Sequence, residues 1–264
     1  MTLDPGLAAP AAVVLGVVAL ALAVPVPILL ARAAWPTAAP ARALVLWQAI
    51  ALAGGFSMIG ALVAAGLALA PHHTLGGGVA IGLALGLAGH LLGHLAATVL
   101  SVARSRSRHR ALLDLLTSPD PSRPSTVILD APTPVAYCLP QGFGSITVLS
   151  RGLLDRLSPD ELAAVIAHER AHLTQRHDIV LVAFRAWHSA LPWFPIAARA
   201  AEEVAVLVEL LADDTARRSV EDAVLARAIA TVSSAHATDF VDAGSTRPRP
   251  SRDRVARLAG QFAR

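Results

Sequence analysis

Residues 158–175 read Ser-Pro-Asp-Glu-Leu-Ala-Ala-Val-Ile-Ala-His-Glu-Arg-Ala-His-Leu-Thr-Gln. Ser158-Pro159-Asp160-Glu161 has the form of a capping box with proline at the first helical position, so a helix is predicted to start here. On that helix His168 and His172 are four residues apart, one turn above each other. Their imidazoles can converge on one Zn²⁺ while Glu169 faces the remaining coordination position as general base. Leu162, Val165, Ile166 and Leu173 form the apolar stripe, which places both histidines near its edge, where a cleft can open. The competing reading is a surface helix carrying two ordinary histidines, and the rest of the chain bears on that choice.

A catalytic zinc needs three protein ligands and one open position. His177 is the nearest further histidine. It follows His172 by five residues without the glycine turn that would swing a third histidine back, so on a continuing helix it points away. His177 and Asp178 read as polar groups at a helix end, at most behind the ligands. A carboxylate from another helix is the better third ligand, with Glu202, Glu203, Glu209, Asp213 and Asp214 as candidates. Glu209 and Asp213 lie one turn apart on one face. One can bind metal while the other accepts the free ring N–H of a ligating histidine. Glu209 also interrupts the run Val-Ala-Val-Leu-Val-Glu-Leu-Leu, where a carboxylate without a partner is costly to bury.

The 264 residues are 55% hydrophobic and only 16% charged, too apolar for an ordinary soluble domain. Residues 7–30 and 44–70 are uncharged, and 75–102 contains only His90 and His94 as ionisable groups. Each run reaches the roughly 20 residues that cross a bilayer. The first lacks the basic leader and the short apolar core of a signal peptide. Pro25 and Pro27 are placed to kink its end. Arg32 and Arg42 flank the first connection, Pro71-His72-His73-Thr74 has no arginine, and Arg104, Arg106, Arg108 and Arg110 follow the third run. The positive-inside rule then puts the N-terminus outside and everything after Val102 in the cytoplasm of a cell-membrane protein. Residues 104–125 form a basic juxtamembrane linker, and 126–264 the second domain. His90 and His94 read as functional intramembrane groups or as neutral residues bonded across a glycine-lined helix interface. No carboxylate accompanies them in the three runs, which favours the second.

Every basic residue is Arg, and the net charge is +3. The arginines are dispersed with no aromatic interleaving, so lipid headgroups rather than nucleic acid are the expected partner. The single Cys138 excludes an internal disulfide. Short runs at Thr126–Leu129, Val135–Leu139 and Ser145–Leu149, separated by Pro and Gly, predict a small antiparallel meander with an edge strand able to hold an extended peptide. Residues 179–201 carry two arginines and two prolines, so they read as an interfacial hairpin turning at Trp193-Phe194-Pro195, with a fourth span as the alternative. Helices are expected at 202–220, 223–237 and 252–262.

Arg151-Gly-Leu-Leu, the capped helix with His-Glu-x-x-His, Arg176-His-Asp, Trp193-Phe-Pro and Glu209-x-x-x-Asp213 together resemble the M56 metallopeptidases, the BlaR/MecR-type antibiotic-sensing proteases related to the M48 group. The resemblance covers about residues 135–216. It implies a mainly helical zincin-like (gluzincin) α+β domain behind a membrane bundle, and one zinc per chain on His168, His172 and Glu209. It further implies Glu169 as catalytic base and Asp213 supporting the metal shell. The edge strand has Val135-Ala136-Tyr137 where M48 relatives often have Asn-Ala, and Arg249-Pro250 precedes Arg254 where they often have His-Pro. Tyr137, His236 and Arg254 are therefore all candidates for oxyanion or substrate contact. The implied activity is hydrolysis of a cytoplasmic or membrane-proximal protein, as in regulatory proteolysis of a transcriptional repressor. A homodimer is also compatible with the sequence. The alternative is a zinc-bound signalling or scaffold protein without turnover.

Overall fold

The computed structural model describes residues 5–141, 144–240 and 249–260, with the side chains of 5–6, 114, 140–141, 144, 234–240 and 249–253 outside that description. The chain divides into two compact units, Met1–Val102 with Val180–Leu207, and Ala103–Ile179 with Val208–Arg264.

The first unit is helical. Helix α1 (Pro5–Ala23) passes through a break at Val24 into α2 (Pro25–Arg32), as Pro25 and Pro27 require. After the short α3 (Trp35–Ala38) come α4 (Pro40–Leu69) and the start of α5 (Thr74–Leu116). Three stretches, Leu7–Arg32, Pro40–Leu69 and Thr74–Leu113, are long and apolar enough to cross a membrane. Their outward residues are apolar: Leu20, Phe56 and Leu75 are 67%, 72% and 82% exposed. Water would penalise such a surface, whereas lipid does not.

Val180–Leu207 packs with these helices. It comprises most of α8 (His177–Ala190), a turn, and the first half of α9 (Pro195–Ala216). The sequence reading starts a helix at 202, whereas α9 is continuous from Pro195, whose fixed φ suits a first helical turn. The Trp187 indole rests against Gly55, where a side chain would meet the ring at 3.3 Å. His90 donates from Nε2 to the Ala190 carbonyl at 2.9 Å. Ser189 donates to the Ala186 carbonyl, which leaves its hydroxyl oxygen to accept from His94 Nδ1 at 3.1 Å. Both histidines thus bind the C-terminal turn of α8, where carbonyls lack intrahelical donors.

The second unit begins with the rest of α5, which runs unbroken to Leu116. Strands β1 (Thr117–Pro119), β2 (Thr126–Leu129), β3 (Ala136–Gln141) and β4 (Gly144–Ser150) form one sheet in the order β1-β2-β4-β3. The expected antiparallel meander is corrected here. β3 and β4 are an antiparallel hairpin, but β4 returns between β3 and β2 and pairs with β2 in parallel. Local turn signals specify the hairpin; the buried Val148 and Leu149 need a neighbour on both sides, and β2 supplies the second. β3 is an outer strand, as its proline implied.

Ser150 caps α6 (Arg151–Leu154) by accepting from the Leu153 N–H. Gly152 sits so close to the Pro132 carbonyl that a side chain there would overlap it. The capping box at Ser158 and Glu161 starts α7 (Pro159–Thr174) as its sequence dictates. Leu149, Leu153, Leu157 and Leu162 form one buried cluster. Ala164 joins another with Leu225, Ala228 and Ile229 of α10 (Asp222–Phe240) and Leu258 of α11 (Arg249–Leu258).

Candidate metal centre

Helix α7 enters the second unit with buried residues on more than one face. Leu162, Ala164 and Ala171 are buried and so is His168, whereas Val165 and Ile166 are only partly covered. His168 therefore lies inside the domain and not at the rim of an apolar stripe. What encloses it is the end of α9, which brings Glu209 and Asp213 to α7, together with Arg254 from α11.

His168 Nε2 and His172 Nε2 are 3.1 Å apart. Glu209 Oε2 lies 3.5 Å from the first and Oε1 3.5 Å from the second. A tetrahedral zinc with bonds of about 2.0–2.1 Å would hold its ligand atoms roughly 3.4 Å apart. The donor set is the one zinc favours, and the separations suit it. Among the described residues these three form the group able to hold a metal ion.

Each imidazole is oriented from behind. His168 Nδ1 donates to Asp213 Oδ1 at 2.9 Å, so Nε2 is the ring nitrogen that faces the site and would take a metal in exchange for its proton. His172 Nδ1 meets His177 Nδ1 at 3.1 Å. His177, expected to point away on a continuing helix or to stand at most behind the ligands, stands behind one of them. Helix α7 stops at Thr174, Arg176 takes a left-handed conformation with φ of 51°, and α8 begins at His177. One left-handed residue reverses the chain without glycine and returns His177 to the ligand, though not to the metal position.

Arg254 Nε donates to Asp213 Oδ2 and its Nη2 to Oδ1, both at 2.7 Å, while Nη1 donates to Glu209 Oε2 at 2.9 Å. Its guanidinium thus holds both carboxylates, lies 3.4 Å from His168 Nδ1 and borders the cleft. The Asp213 side chain is only 1% exposed. Burial pushes its carboxyl up, but the bonds from Arg254 and His168 outweigh this and hold it below the ordinary range. Glu209 behaves in the same way, with burial opposed by His168, Arg254 and His172. Burial lowers the His168 imidazole, yet the Asp213 and Glu209 bonds carry it to about 9. His172 falls to about 4, first through burial and then through the charge on its neighbour, despite the opposing pull of Glu209. Two rings 3.1 Å apart hold one proton between them, not two. Burial raises Glu169 to about 7, with Glu209 adding to the rise.

A cleft of about 240 Å³ opens at this point, lined by His168, Glu169, Glu209 and Arg254 at one end and by Val135, Leu225 and Ile229 among its apolar walls. Ala136 of β3 borders it. Tyr137, the next residue, projects from the opposite face of the strand, where its hydroxyl bonds His109 Nε2 at 2.7 Å. The structure does not bring it to the cleft. The side chain of His236 lies outside the described residues. Sequence reasoning missed Gln175 and Thr215 as support for the site, gave His177 at most a place behind the ligands, and weighed Arg254 only as an oxyanion or substrate contact.

Residues 102–207 match Peptidase family M48. The match relates the chain to a family of zinc-dependent metallopeptidases and supports a metallopeptidase. It includes α7 with its two histidines and Glu169 but stops short of Glu209, Asp213 and Arg254, which join the site through the geometry above. No solved structure matches the chain.

Proposed function

We propose that the chain is an integral-membrane zinc endopeptidase of the M56, BlaR/MecR-like kind, with its catalytic domain on the cytoplasmic side, cutting a cytoplasmic or membrane-proximal protein in regulatory proteolysis. The observation that carries this is the convergence of His168, His172 and Glu209 at zinc-ligand separations, with Glu169 on the wall of the same cleft. The arginines after the third apolar helix and those flanking the first connection support the sidedness. A repressor of transcription is the proposed substrate, met as an extended segment along the outer strand β3.

Zinc on His168, His172 and Glu209 would supply Lewis acidity toward the scissile carbonyl and the attacking water. Glu169 takes the proton of that water and passes it to the departing amine. Its elevated affinity for a proton suits a group that must hold one briefly. Asp213 keeps His168 in the tautomer that offers Nε2 to the site. Arg254 fixes both carboxylates so that neither rotates out of place. The apolar end of the cleft, with Val135, Leu225 and Ile229, excludes water from one side of the bound peptide.

The test is cleavage of an unfolded protein substrate by purified protein in detergent. Activity is expected to vanish on chelation and return with stoichiometric zinc. A protein that binds zinc and never cleaves would instead be a scaffold.

Proton competition gives a second expected outcome. Without metal His168 carries its proton below about pH 9, so zinc must displace it, while His172 is already neutral above about pH 4. Zinc affinity should therefore rise close to tenfold per pH unit between pH 6 and 8 and level off above 9. A slope of two, measured by competition with a pH-calibrated chelator, would mean that both histidines start protonated.

A further inference from the structure

The contacts behind His172 form a hydrogen-bonded chain whose donors and acceptors follow from Thr215 donating within its own helix. Thr215 donates its one hydroxyl proton to the Leu211 carbonyl at 3.0 Å. Its oxygen must then accept from the Gln175 side-chain amide, to which it is bonded. The Gln175 amide nitrogen being turned to Thr215, its oxygen faces His177 Nε2 at 2.8 Å. That nitrogen is therefore the protonated one, since an amide oxygen only accepts. In the neutral ring His177 Nδ1 is left with a lone pair, and it lies 3.1 Å from His172 Nδ1. His172 must donate there, which leaves its Nε2 lone pair directed to Glu209 and His168.

We infer that His177, held by Gln175 and Thr215, is a positioning residue that sets the tautomer of His172 and aims its Nε2 into the site. It rests on the reading of His168, His172 and Glu209 as zinc ligands. His177 is 3% exposed, so it is packed as well as bonded. The two histidine ligands are thus oriented by different chemistry: His168 by a carboxylate fixed by arginine, His172 by a neutral acceptor at the end of an amide–hydroxyl chain. A neutral acceptor adds no negative charge behind the ligand. This site already carries Glu169, Glu209 and Asp213 against one arginine, and a further carboxylate would raise the repulsion among them.

The test compares zinc affinity, measured by chelator competition on the full-length protein, across variants that separate shape from polarity. Asn at 177 places its side-chain oxygen where Nδ1 stands and can still accept from His172. Leu fills the space and accepts nothing. His177→Asn is expected to stay within a few-fold of wild type, while His177→Leu loses about 10- to 100-fold, as removal of such a partner does elsewhere. A purely structural role predicts the reverse order, because Leu packs better than Asn. Gln175 is exposed, so its variants spare the core if the position-177 variants do not fold. Gln175→Met keeps the length of the side chain but offers His177 Nε2–H no acceptor, so it should lose affinity several-fold. ¹⁵N shifts of the imidazoles in zinc-loaded protein should show the His172 proton on Nδ1 in wild type and His177→Asn. Equal affinities for Asn and Leu at 177, or wild-type affinity in Gln175→Met, would overturn the inference while leaving the zinc site standing. A wild-type protein that takes up no zinc would overturn both, and the affinity readout does not depend on whether the protein cleaves peptides.

Discussion

Glu169→Gln is expected to lower the cleavage rate by about 10³-fold or more while leaving zinc content unchanged, since general-base assistance is worth about 10²–10⁴. The substitution keeps size and one hydrogen-bonding oxygen but cannot take a proton from water. Glu169 lies in the cleft beside His168 and is not one of the three convergent donors, so losing its charge leaves the ligand set intact. The amide also avoids the cost of burial that drives the carboxyl up to about 7. The protein should thus be at least as stable as wild type, and inactivity could not be blamed on unfolding. Single-turnover cleavage, zinc analysis and a thermal melt on one preparation check all three statements. Retained cleavage by this variant would remove Glu169 from the mechanism.

Arg254→Met is expected to cost about 3–5 kcal/mol of stability in the zinc-free protein, the range for removing one partner of a buried ion pair. The arginine side chain is 13% exposed and donates three bonds to Asp213 and Glu209. Met fills similar volume, so the loss reports on charge rather than on a cavity. Asp213 would keep His168 as a bonded partner but lose the group that most lowers its proton affinity. The sign with pH follows from that direction. A carboxylate held below its unfolded value stabilises the fold at pH above that value, and the contribution disappears as acid protonates it in the native state. The gap between wild type and Arg254→Met should therefore be widest near neutrality and shrink on acidification. Zinc should restore part of the loss, because a cation beside Glu209 offsets the missing positive charge. Denaturant melts at pH 5 and pH 7, with and without zinc, read all of this.

Much of this arrangement was legible in the sequence where the signal is local. The three apolar helices follow from runs of apolar residues without charge, and α7 begins where its capping box says it must. Glu209 and Asp213 were recognisable as a pair because one helical turn separates them and an apolar run surrounds them. Strand order was not legible, since the parallel pairing of β2 with β4 depends on what covers Val148 and Leu149 and not on any turn. Arg254 reaches its partners across 41 and 45 residues, a distance over which no periodic pattern carries information. The return of His177 to His172 was not legible because the reversal before it uses Arg176 in a left-handed conformation, where a glycine would have announced the turn. Tyr137 was a candidate by type, and the alternation of the strand turned it to the far face.

The arginine fork and the amide–hydroxyl chain have a common effect. Both fix ligand orientation before any metal arrives, so little ordering remains to oppose binding. The central claim is that this prepared constellation is a zinc centre built from two imidazoles and one carboxylate. Zinc-edge X-ray absorption on the purified protein, combined with metal analysis, tests it most directly. The expected result is one zinc per chain with a nitrogen and oxygen shell containing two imidazoles, reduced or lost in His168→Ala, His172→Ala and Glu209→Ala. No bound zinc, a sulfur ligand, or full zinc content in Glu209→Ala would contradict it.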